Sequence, residues 1–470
     1  MRFTIDNFLD KFGINNLIKK LGATRIIVLS FAFVISIGTL LLSFPISQSG
    51  ESVKFIDNLF TATTATCVTG LATVTFKDVY SFFGQIVILC LIQIGGLGLM
   101  SIIAAIVNLS HHKFNFREKA MLQDVVNKID RINLLSFLKT IFKYTFIFES
   151  IGAIVLAFVF VPKFGLGMGI YNAIFLSISA FCNAGIDVLG ANSLIDYVNN
   201  PVVNFTIMVL IITGGLGFAV WMDIIQTIRR FVKEKKPFKR FFENLKFHSK
   251  IVIVMTSFLI ISGTILIFVF EIFNPGTIGN LSFGNSIMAA LFNSVTLRTA
   301  GFSTVNYGNM NHITLFVMCA YMFIGGSPGG TAGGIKTTTF FTLLYYITNK
   351  TKDEDSVIYG REIKNDYVLK SLSIFFISLL SVFIFISLLL LFEPNMDPIS
   401  IIFEAFSAFG TVGLSTGITP LLKGISKLTI IVLMFIGRVG AMAAVLSFVN
   451  DSKKNKKGLV EYPRADYLVG

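Results

Sequence analysis

Apolar residues form long stretches along the chain, separated by short polar segments. Each stretch is about twenty residues long or longer, which is enough for a helix to cross a bilayer. Two more stretches also qualify, although glycines interrupt the first and an arginine lies in the second. The pattern therefore predicts eight membrane spans. The uninterrupted stretches are Ile26 to Phe44, Phe82 to Leu109, Tyr144 to Val161, Val202 to Val220, Ile251 to Phe270 and Val368 to Phe392, and the interrupted ones are His312 to Thr348 and Ile425 to Phe448.

A short apolar segment that ends in a glycine-bearing loop recurs between consecutive pairs of spans. The loop glycines Gly70, Gly185, Gly301 and Gly413 are 115, 116 and 112 residues apart. The segments before them are too short to cross a membrane, so we expect half-helices that enter and stop. Such segments must be buried in protein or line water, which predicts a common aqueous path. The half-helices are Phe55 to Ala65, Tyr171 to Ala180, Ser286 to Thr296 and Ile399 to Ala408.

The repeating unit is a span, a half-helix, a loop and a second span. The sequence thus predicts an all-α polytopic membrane protein, with eight transmembrane helices arranged as four pseudo-symmetric repeats around a central ion pore. The expected divisions are 1–24 (amphipathic N-terminus), 25–110 (repeat 1), 111–140 (loop), 141–228 (repeat 2), 229–250 (basic loop), 251–349 (repeat 3, with the segment 325–334 inside it), 350–366 (loop), 367–450 (repeat 4) and 451–470 (tail).

Composition and charge support a membrane protein and orient it. The chain is 54% hydrophobic and only 14% charged, with a net charge of +13. Thirty of its thirty-nine Lys and Arg residues fall in alternate polar segments, which the positive-inside rule assigns to the cytoplasm together with both termini. Because the basic residues are not gathered on a soluble face, we expect no nucleic-acid partner. The basic segments Arg229 to Lys250 and Lys453 to Lys457 could instead hold anionic lipid headgroups.

The four loops are suited to conducting a cation. Rings of backbone carbonyls can replace the hydration shell of a potassium ion without a fixed counter-charge, and glycine permits the backbone conformations that this needs. Small neutral residues surround the loop glycines, whereas rings of acidic or basic side chains would suit a divalent or anion pore. One such glycine alone is more often a turn or helix-packing residue. Four in register favour a common role in a pore.

The segment Gly325 to Gly334 holds six glycines and a proline, a composition that cannot form a regular helix. A phosphate-binding loop is excluded, since Ile335 separates Gly334 from Lys336 and no strand precedes the segment. A flexible loop just to the cytoplasmic side of the four glycine loops is a natural steric gate for an ion path. The alternative is a passive kink that relieves helix packing. The residues of this candidate gate are Gly325, Gly326, Ser327, Pro328, Gly329, Gly330, Thr331, Ala332, Gly333, Gly334 and Lys336, with Arg438 as the charge that could act on it.

Two arginines lie within apolar segments. Arg438 is in the last span, where a charge needs a partner or a water-filled cavity. We expect it to face the pore and to repel cations or pair with the mobile loop, and the alternative is a structural pair with Glu149 or Asp223. Arg298 precedes the third loop glycine and is expected to brace that loop, through carbonyls or a carboxylate such as Glu404, without touching the ion.

The third loop, Thr296 to Phe302, together with Gly326 to Thr337, resembles the Trk/Ktr/HKT superfamily of potassium transporters, and Thr411 to Leu414 resembles a potassium-channel filter with its aromatic residue replaced by Leu. With few residues before the first span, the chain looks most like the Ktr-type transmembrane subunit. The resemblance implies that the two residues before each loop glycine line the ion site. The filter residues are then Val68, Thr69 and Gly70, Asn183, Ala184 and Gly185, Thr299, Ala300 and Gly301, and Thr411, Val412 and Gly413.

The resemblance also implies partners and substrate. It implies potassium as the transported ion, possible stimulation by sodium, no covalent cofactor, and a gate role for Gly325 to Gly334. It further implies a homodimer with a pore in each protomer, in which the tail Tyr462 to Gly470 packs at the contact. A cytoplasmic ring of nucleotide-binding regulatory subunits would dock on the basic surface, with the nucleotide on that partner.

Other classes of protein fit the sequence less well. A membrane enzyme would need clustered catalytic residues, and His111, His112, His248 and His312 have no matching nucleophile or ligand set, so we expect no enzymatic activity. An ion-coupled secondary transporter predicts inverted repeats, whereas these repeats run in parallel. A sodium-permeable or sodium-coupled transporter of the same architecture remains the alternative, because ion choice depends on carbonyl geometry.

Overall fold

The computed structural model describes residues 23–50, 52–98, 134–190, 193–235, 240–350, 357–359 and 361–448. The predicted N-terminal helix and C-terminal tail, and most of the loop 111–140, lie outside these residues. In chain order the helices are α1 (Ala23–Ser43), α2 (Phe55–Cys67), α3 (Phe76–Val79), α4 (Phe82–Leu97), α5 (Leu134–Phe164), α6 (Leu166–Cys182), α7 (Pro201–Leu216), α8 (Phe218–Glu234), α9 (Phe247–Glu271), α10 (Phe283–Thr296), α11 (His312–Phe323), α12 (Thr337–Lys350), α13 (Asn365–Phe392), α14 (Pro398–Gly410), α15 (Gly424–Val439) and α16 (Ala441–Phe448), with an antiparallel pair of strands, β1 (Val357–Ile358) and β2 (Arg361–Glu362), between α12 and α13.

The first span of each repeat is one long helix. Helices α1, α5, α9 and α13 are each long and apolar enough to cross a membrane, and each leaves much of its surface exposed, as helices facing lipid do. Exposed phenylalanines such as Phe158 and Phe383 lie on these outer faces. The four helices therefore form the outer part of the molecule.

The half-helices lie inside this outer layer. Helices α2, α6, α10 and α14 contain 13, 17, 14 and 13 residues, and most of their residues are buried. They extend one to five residues beyond the predicted bounds at one or both ends, most clearly α6, which begins at Leu166. The start of α14 is fixed by Pro398 in its first turn and by the Asp397 carboxylate, which accepts a hydrogen bond from the Ser400 amide.

The second spans of repeats 2, 3 and 4 are broken. The break in repeat 3 agrees with the prediction from its glycines, whereas those in repeats 2 and 4 differ from the predicted single spans. Helices α4, α7 and α15 end just before Gly98, Gly217 and Gly440, whose φ angles are +80°, +92° and +95°. A left-handed residue cannot continue a right-handed helix, so each helix ends at its glycine, and a new helix follows Gly217 and Gly440. After Gly217 the axis of α8 is bent by 99° from that of α7. In repeat 3 the break is the segment between α11 and α12.

Carboxylates join the outer ends of the two spans in repeats 3 and 4. Glu271, at the end of α9, accepts hydrogen bonds from the Asn311 amide and the Thr314 hydroxyl at the start of α11. Glu393, which follows α13, accepts equivalent bonds from the Lys423 amide (2.8 Å) and the Ser426 hydroxyl (2.7 Å) at the start of α15. A negative charge at a helix N-terminus satisfies amides that have no partner within the helix. We call these two contacts the carboxylate clamps.

Candidate functional site

The four glycine loops share one backbone conformation. In each, the residue two positions before the glycine has a left-handed φ although it carries a β-carbon, the next residue has a negative φ, and the glycine again has a positive φ. Such alternation turns successive carbonyl groups toward the same side of the chain. The left-handed residues are Val68 (+55°), Asn183 (+60°), Thr299 (+69°) and Thr411 (+50°), and the glycines are Gly70 (+102°), Gly185 (+64°), Gly301 (+77°) and Gly413 (+90°).

The loops meet in a closed ring. A β-carbon added to Gly70 would lie 2.7 Å from the Ala184 carbonyl oxygen of loop 2. One on Gly185 would lie 2.7 Å from the Ala300 oxygen of loop 3, and one on Gly301 would lie 2.5 Å from the Val412 oxygen of loop 4. A β-carbon on Gly413 would lie 2.7 Å from the α-carbon of Gly70, which closes the ring. The backbones approach too closely for any side chain at these positions.

Hydroxyl groups of the half-helices hold three of the loops. The Gly70 amide donates to Thr64 Oγ1 (2.9 Å), the Ile186 amide to Ser179 Oγ (3.1 Å) and the Gly413 amide to Ser407 Oγ (3.1 Å). Each hydroxyl lies six residues before its loop glycine. We call these residues the loop struts. The loop struts are not among the residues predicted from the sequence, although aligning the four repeats on their glycines places the three hydroxyls at one position.

Loop 3 is held differently. The position six residues before Gly301 is Val295, which has no hydroxyl. Its neighbour Thr296 instead donates through Oγ1 to the Phe302 carbonyl at 2.8 Å, on the far side of the loop. The loop of repeat 3 is therefore held by a different hydrogen bond from the other three loops, so the ring is not fully symmetric.

The segment Gly325 to Gly334 lies against repeat 2 and under loop 4. Its ends are joined, since the Gly325 amide donates to the Ile335 carbonyl at 2.9 Å. Its middle donates to the broken end of α7, from the Ser327 amide to the Gly215 carbonyl (3.0 Å) and from the Thr331 amide to the Gly214 carbonyl (3.2 Å). A β-carbon on Gly333 would collide with the Thr411 side chain.

Arg438 connects this segment to repeat 1. Its guanidinium donates to the Thr331 carbonyl of the segment and to the Gly95 carbonyl near the end of α4. In the described part of the chain it makes no ion pair with Glu149 or Asp223, the alternative considered from sequence. Arg438 follows Gly437 in repeat 4, as Gly96 follows Gly95 in repeat 1. Repeat 4 therefore has a charged side chain at the position where repeat 1 has a glycine.

The model of the TrkH family, described as cation transport proteins, matches residues 17–457. The chain belongs to the TrkH family of cation transport proteins. It is 39% identical to the potassium/sodium uptake protein NtpJ of Enterococcus hirae, over 96% of this chain and 98% of that one. It is 37% identical to the Ktr system potassium uptake protein B of Bacillus subtilis, over 95% of this chain and 96% of that one. The resemblance inferred from the loops is confirmed.

The fold is that of a solved TrkH-family structure. The potassium transporter TrkH of Vibrio parahaemolyticus superposes with a TM-score of 0.70, covering 91% of this chain and 84% of its own, at 17% sequence identity. The predicted fold class, an all-α membrane protein made of span, half-helix, loop and span repeats, is confirmed. This TrkH-family chain is therefore a multi-pass membrane protein.

Arg298 lies beside loop 3 but is not braced by Glu404. It is 4% exposed, and its Nε and Nη2 atoms have no hydrogen-bond partner among the described residues. Glu404 receives its hydrogen bonds elsewhere, from the Ser415 hydroxyl (3.0 Å) and the Thr419 hydroxyl. In the described part of the chain Arg298 and Glu404 form no ion pair, so bracing of loop 3 through this carboxylate is not observed, and bracing through carbonyls stays a prediction.

Proposed function

We propose that this TrkH-family chain takes up potassium ions through a path lined by the four glycine loops. The observation that carries the proposal is the closed ring of loops, each with two left-handed residues and no room for a side chain at its glycine. A desolvated monovalent cation needs several oxygen dipoles on one axis, and this backbone pattern supplies them. The similarity to the potassium/sodium uptake protein NtpJ and to the potassium uptake protein of Bacillus subtilis supports potassium as the ion.

The proposed ion site is formed by main-chain atoms of residues that are buried. The residue pairs before the four glycines are each at most 1% exposed, so their side chains face protein and the carbonyls remain for the ion. These pairs are Val68 and Thr69, Asn183 and Ala184, Thr299 and Ala300, and Thr411 and Val412. Because the pairs differ in sequence and loop 3 is supported differently, we expect fewer well-defined ion sites than in a symmetric channel.

The proposed driving force is the membrane potential. It is worth about 2.3 kcal/mol per elementary charge for each 100 mV, and a negative interior draws cations inward. The bacterial relatives support a protein of the bacterial plasma membrane, and the distribution of Lys and Arg favours both termini in the cytoplasm. Potassium would then enter at the loop ring and leave past the segment Gly325 to Gly334.

We propose that this segment is the gate and that Arg438 anchors its closed position. Few hydrogen bonds hold the segment: its amides donate to the Gly214 and Gly215 carbonyls, and Arg438 donates to its Thr331 carbonyl. The acceptor in each of these bonds is a main-chain oxygen. Six glycines allow the segment to move without side-chain repacking. Breaking the Arg438 contact would release the gate segment from repeat 1, so the position of the gate depends on the Arg438 guanidinium.

We also propose the assembly that the family resemblance implies. Two copies would form a homodimer with one pore each, and a cytoplasmic ring of nucleotide-binding subunits would move the gate. The basic segment Arg229 to Lys250 is the expected docking surface for that ring or for anionic lipid. Part of it is helical, since α8 runs to Glu234 and α9 begins at Phe247.

Sodium transport is the second candidate. NtpJ is a potassium/sodium uptake protein, and this relative is 39% identical over nearly the whole chain. Sodium could be carried in place of potassium, or it could stimulate potassium uptake. The ring geometry suits a monovalent cation in either case.

Potassium and sodium uptake by the chain in liposomes, driven by an imposed potential, tests the proposal. We expect potassium flux that a Gly301→Ala substitution lowers about tenfold or more, because a β-carbon at a left-handed residue costs about 1–2 kcal/mol and here also meets the Val412 oxygen. Gly284→Ala, in α10 of the same repeat, is the matched control, since its added β-carbon meets no atom. Unchanged flux in Gly301→Ala, or no flux in the unmodified protein, contradicts the proposal.

A further inference from the structure

A carboxyl group lies within the membrane part of the fold, behind loop 2. Glu149, in α5, is 8% exposed. Gln93 Nε2 of α4 donates to its Oε1 at 3.1 Å and lies 3.4 Å from its Oε2. Charged groups at this depth are costly and are seldom kept without a role. Neither the carbonyl ring nor the proposed gate accounts for Glu149.

This carboxyl is linked to loop 2 through Cys182, three residues before Gly185. The Cys182 thiol lies 3.5 Å from Gln93 Oε1 and 4.0 Å from Glu149 Oε1. The Ser177 hydroxyl of α6 also donates to the Glu149 carbonyl at 2.7 Å. The half-helix that carries loop 2 is therefore held against α5 and α4 by this polar group.

The same region reaches the candidate gate. Gly95, two residues after Gln93, accepts the hydrogen bond from Arg438. The Thr331 hydroxyl of the gate segment donates at 3.3 Å to the Phe181 carbonyl, which adjoins Cys182. A displacement of Cys182 would thus act on the loop and on the gate contacts together.

The donors available to Glu149 are too few for a stable buried charge. Glu271, in contrast, is fully buried and accepts hydrogen bonds from four groups, on Asn274, Thr277, Asn311 and Thr314. Glu149 has one amide and a weak thiol donor, and within the described part of the chain no Lys, Arg or His lies within ion-pair distance of it. A carboxyl in such a site binds a proton more readily than it remains charged.

Among the described residues, few charged or titratable groups lie on the helices around Glu149. Helix α6 contributes Cys182, and α15 contributes Arg438, which donates to the Gly95 carbonyl two residues after Gln93. Helix α8, which contacts α5 through Trp221 and Phe148, carries Asp223, and that carboxylate accepts a hydrogen bond from the Lys246 amide. Helices α4 and α7 contain no Asp, Glu, Lys, Arg or His.

We propose that Glu149 is a proton-binding positioning residue, which holds loop 2 in its conducting position while it is protonated. On ionisation, the carboxylate needs further donors, and the nearest is the Cys182 thiol. Drawing that thiol from Gln93 toward Glu149 would shift the residue that leads into loop 2. Potassium flux would then fall as the pH rises. This inference rests on the proposed potassium uptake.

The test is potassium flux into liposomes with equal pH on both sides, from about pH 6 to about pH 9. We expect flux of the unmodified chain to fall at least about threefold over this range. Glu149→Gln, which mimics the protonated group, is expected to keep the flux and lose the pH dependence. Gln93→Leu removes the amide donor to the charged form and is expected to move the profile to higher pH. A purely structural role for Glu149 would produce no such shift.

Glu271→Gln is the matched control, because it replaces a buried carboxylate that four donors satisfy, and it is expected to keep the pH profile of the unmodified chain. A flat profile of the unmodified chain, or an unchanged profile in Glu149→Gln, would overturn the inference while leaving potassium uptake intact. Absence of potassium flux at every pH would instead contradict the proposed function. A Glu149→Gln chain that folds but carries no potassium also overturns the inference.

Discussion

Lys427 Nζ lies 2.7 Å from Asp57 Oδ1, and this ion pair joins the last repeat to the first. Asp57 is in the first turn of the half-helix α2, and Lys427 is in α15, 370 residues further along the chain. Both side chains are largely buried, at 9% and 12% exposed. Because Arg438 lies on the same helix and donates to Gly95, α15 contacts repeat 1 near both of its ends.

Breaking this ion pair is expected to destabilise the ring. Removing one partner of a buried pair leaves an uncompensated charge, at a cost of about 3 kcal/mol. Asp57→Asn and Lys427→Met should each lower the melting temperature of the detergent-solubilised protein by several degrees. The double variant should be destabilised by less than the sum, since it leaves no unpaired charge. Additive effects in this cycle would mean that the pair does not close the ring.

The loop struts give a prediction about selectivity. Thr64→Val removes the acceptor of the Gly70 amide and leaves a buried N–H unpaired, at a cost of about 1–3 kcal/mol. We expect the loop to relax, and the preference for potassium over sodium to fall about fivefold or more in flux measurements. Thr63→Val is the matched control, because the Thr63 hydroxyl only donates to the Leu59 carbonyl within its own helix. Equal selectivity in the two variants would contradict the role of the strut.

The four loops could be predicted from the sequence because their glycines recur at a nearly constant spacing. Glycines at intervals of 112 to 116 residues, each after an apolar segment of helical length, define the repeat without any tertiary information. The glycines of repeat 3 predicted the break in its second span, but the helix ends in the other repeats could not be predicted from hydropathy. Residues 82–109 carry no charged side chain, and the end of α4 depends on the left-handed conformation of Gly98, which composition does not reveal.

The hydrogen-bond acceptors of Arg438 also could not be predicted from the sequence. Both acceptors are backbone carbonyls, 107 and 343 residues away, and a carbonyl belongs to every residue. Side-chain types can suggest a carboxylate partner such as Glu149, but they carry no information about main-chain groups. The prediction that Arg438 pairs with the mobile segment rested on its depth in the membrane, and the structure places its guanidinium on Thr331.

The Arg438 contact predicts leakage when it is lost. Arg438→Gln keeps a polar side chain but cannot reach both the Thr331 and Gly95 carbonyls, so the gate segment loses its link to repeat 1. We expect resting potassium flux into liposomes to rise about threefold or more. Arg25→Gln is the control, since Arg25 also donates to a backbone carbonyl, that of Ser447, at a distance from the loops. A flux in Arg438→Gln at or below that of the unmodified chain would contradict an anchoring role.

The carboxylate clamp at Glu393 predicts a loss of stability in acid. Burial opposes ionisation of Glu393, but hydrogen bonds from the Lys423 amide and the Ser426 hydroxyl, together with the Lys423 charge, outweigh it and lower the pKa of Glu393 below its ordinary value of 4.5. A carboxyl with a lowered folded-state pKa stabilises the protein above its unfolded-state pKa, and this contribution is lost as the pH falls through the folded-state value. Glu393→Gln should lower the melting temperature at neutral pH by a few degrees, and the difference from the unmodified chain should shrink below about pH 4. A difference that is constant from neutral pH to about pH 3 would mean that the charge of Glu393 does not stabilise the start of α15.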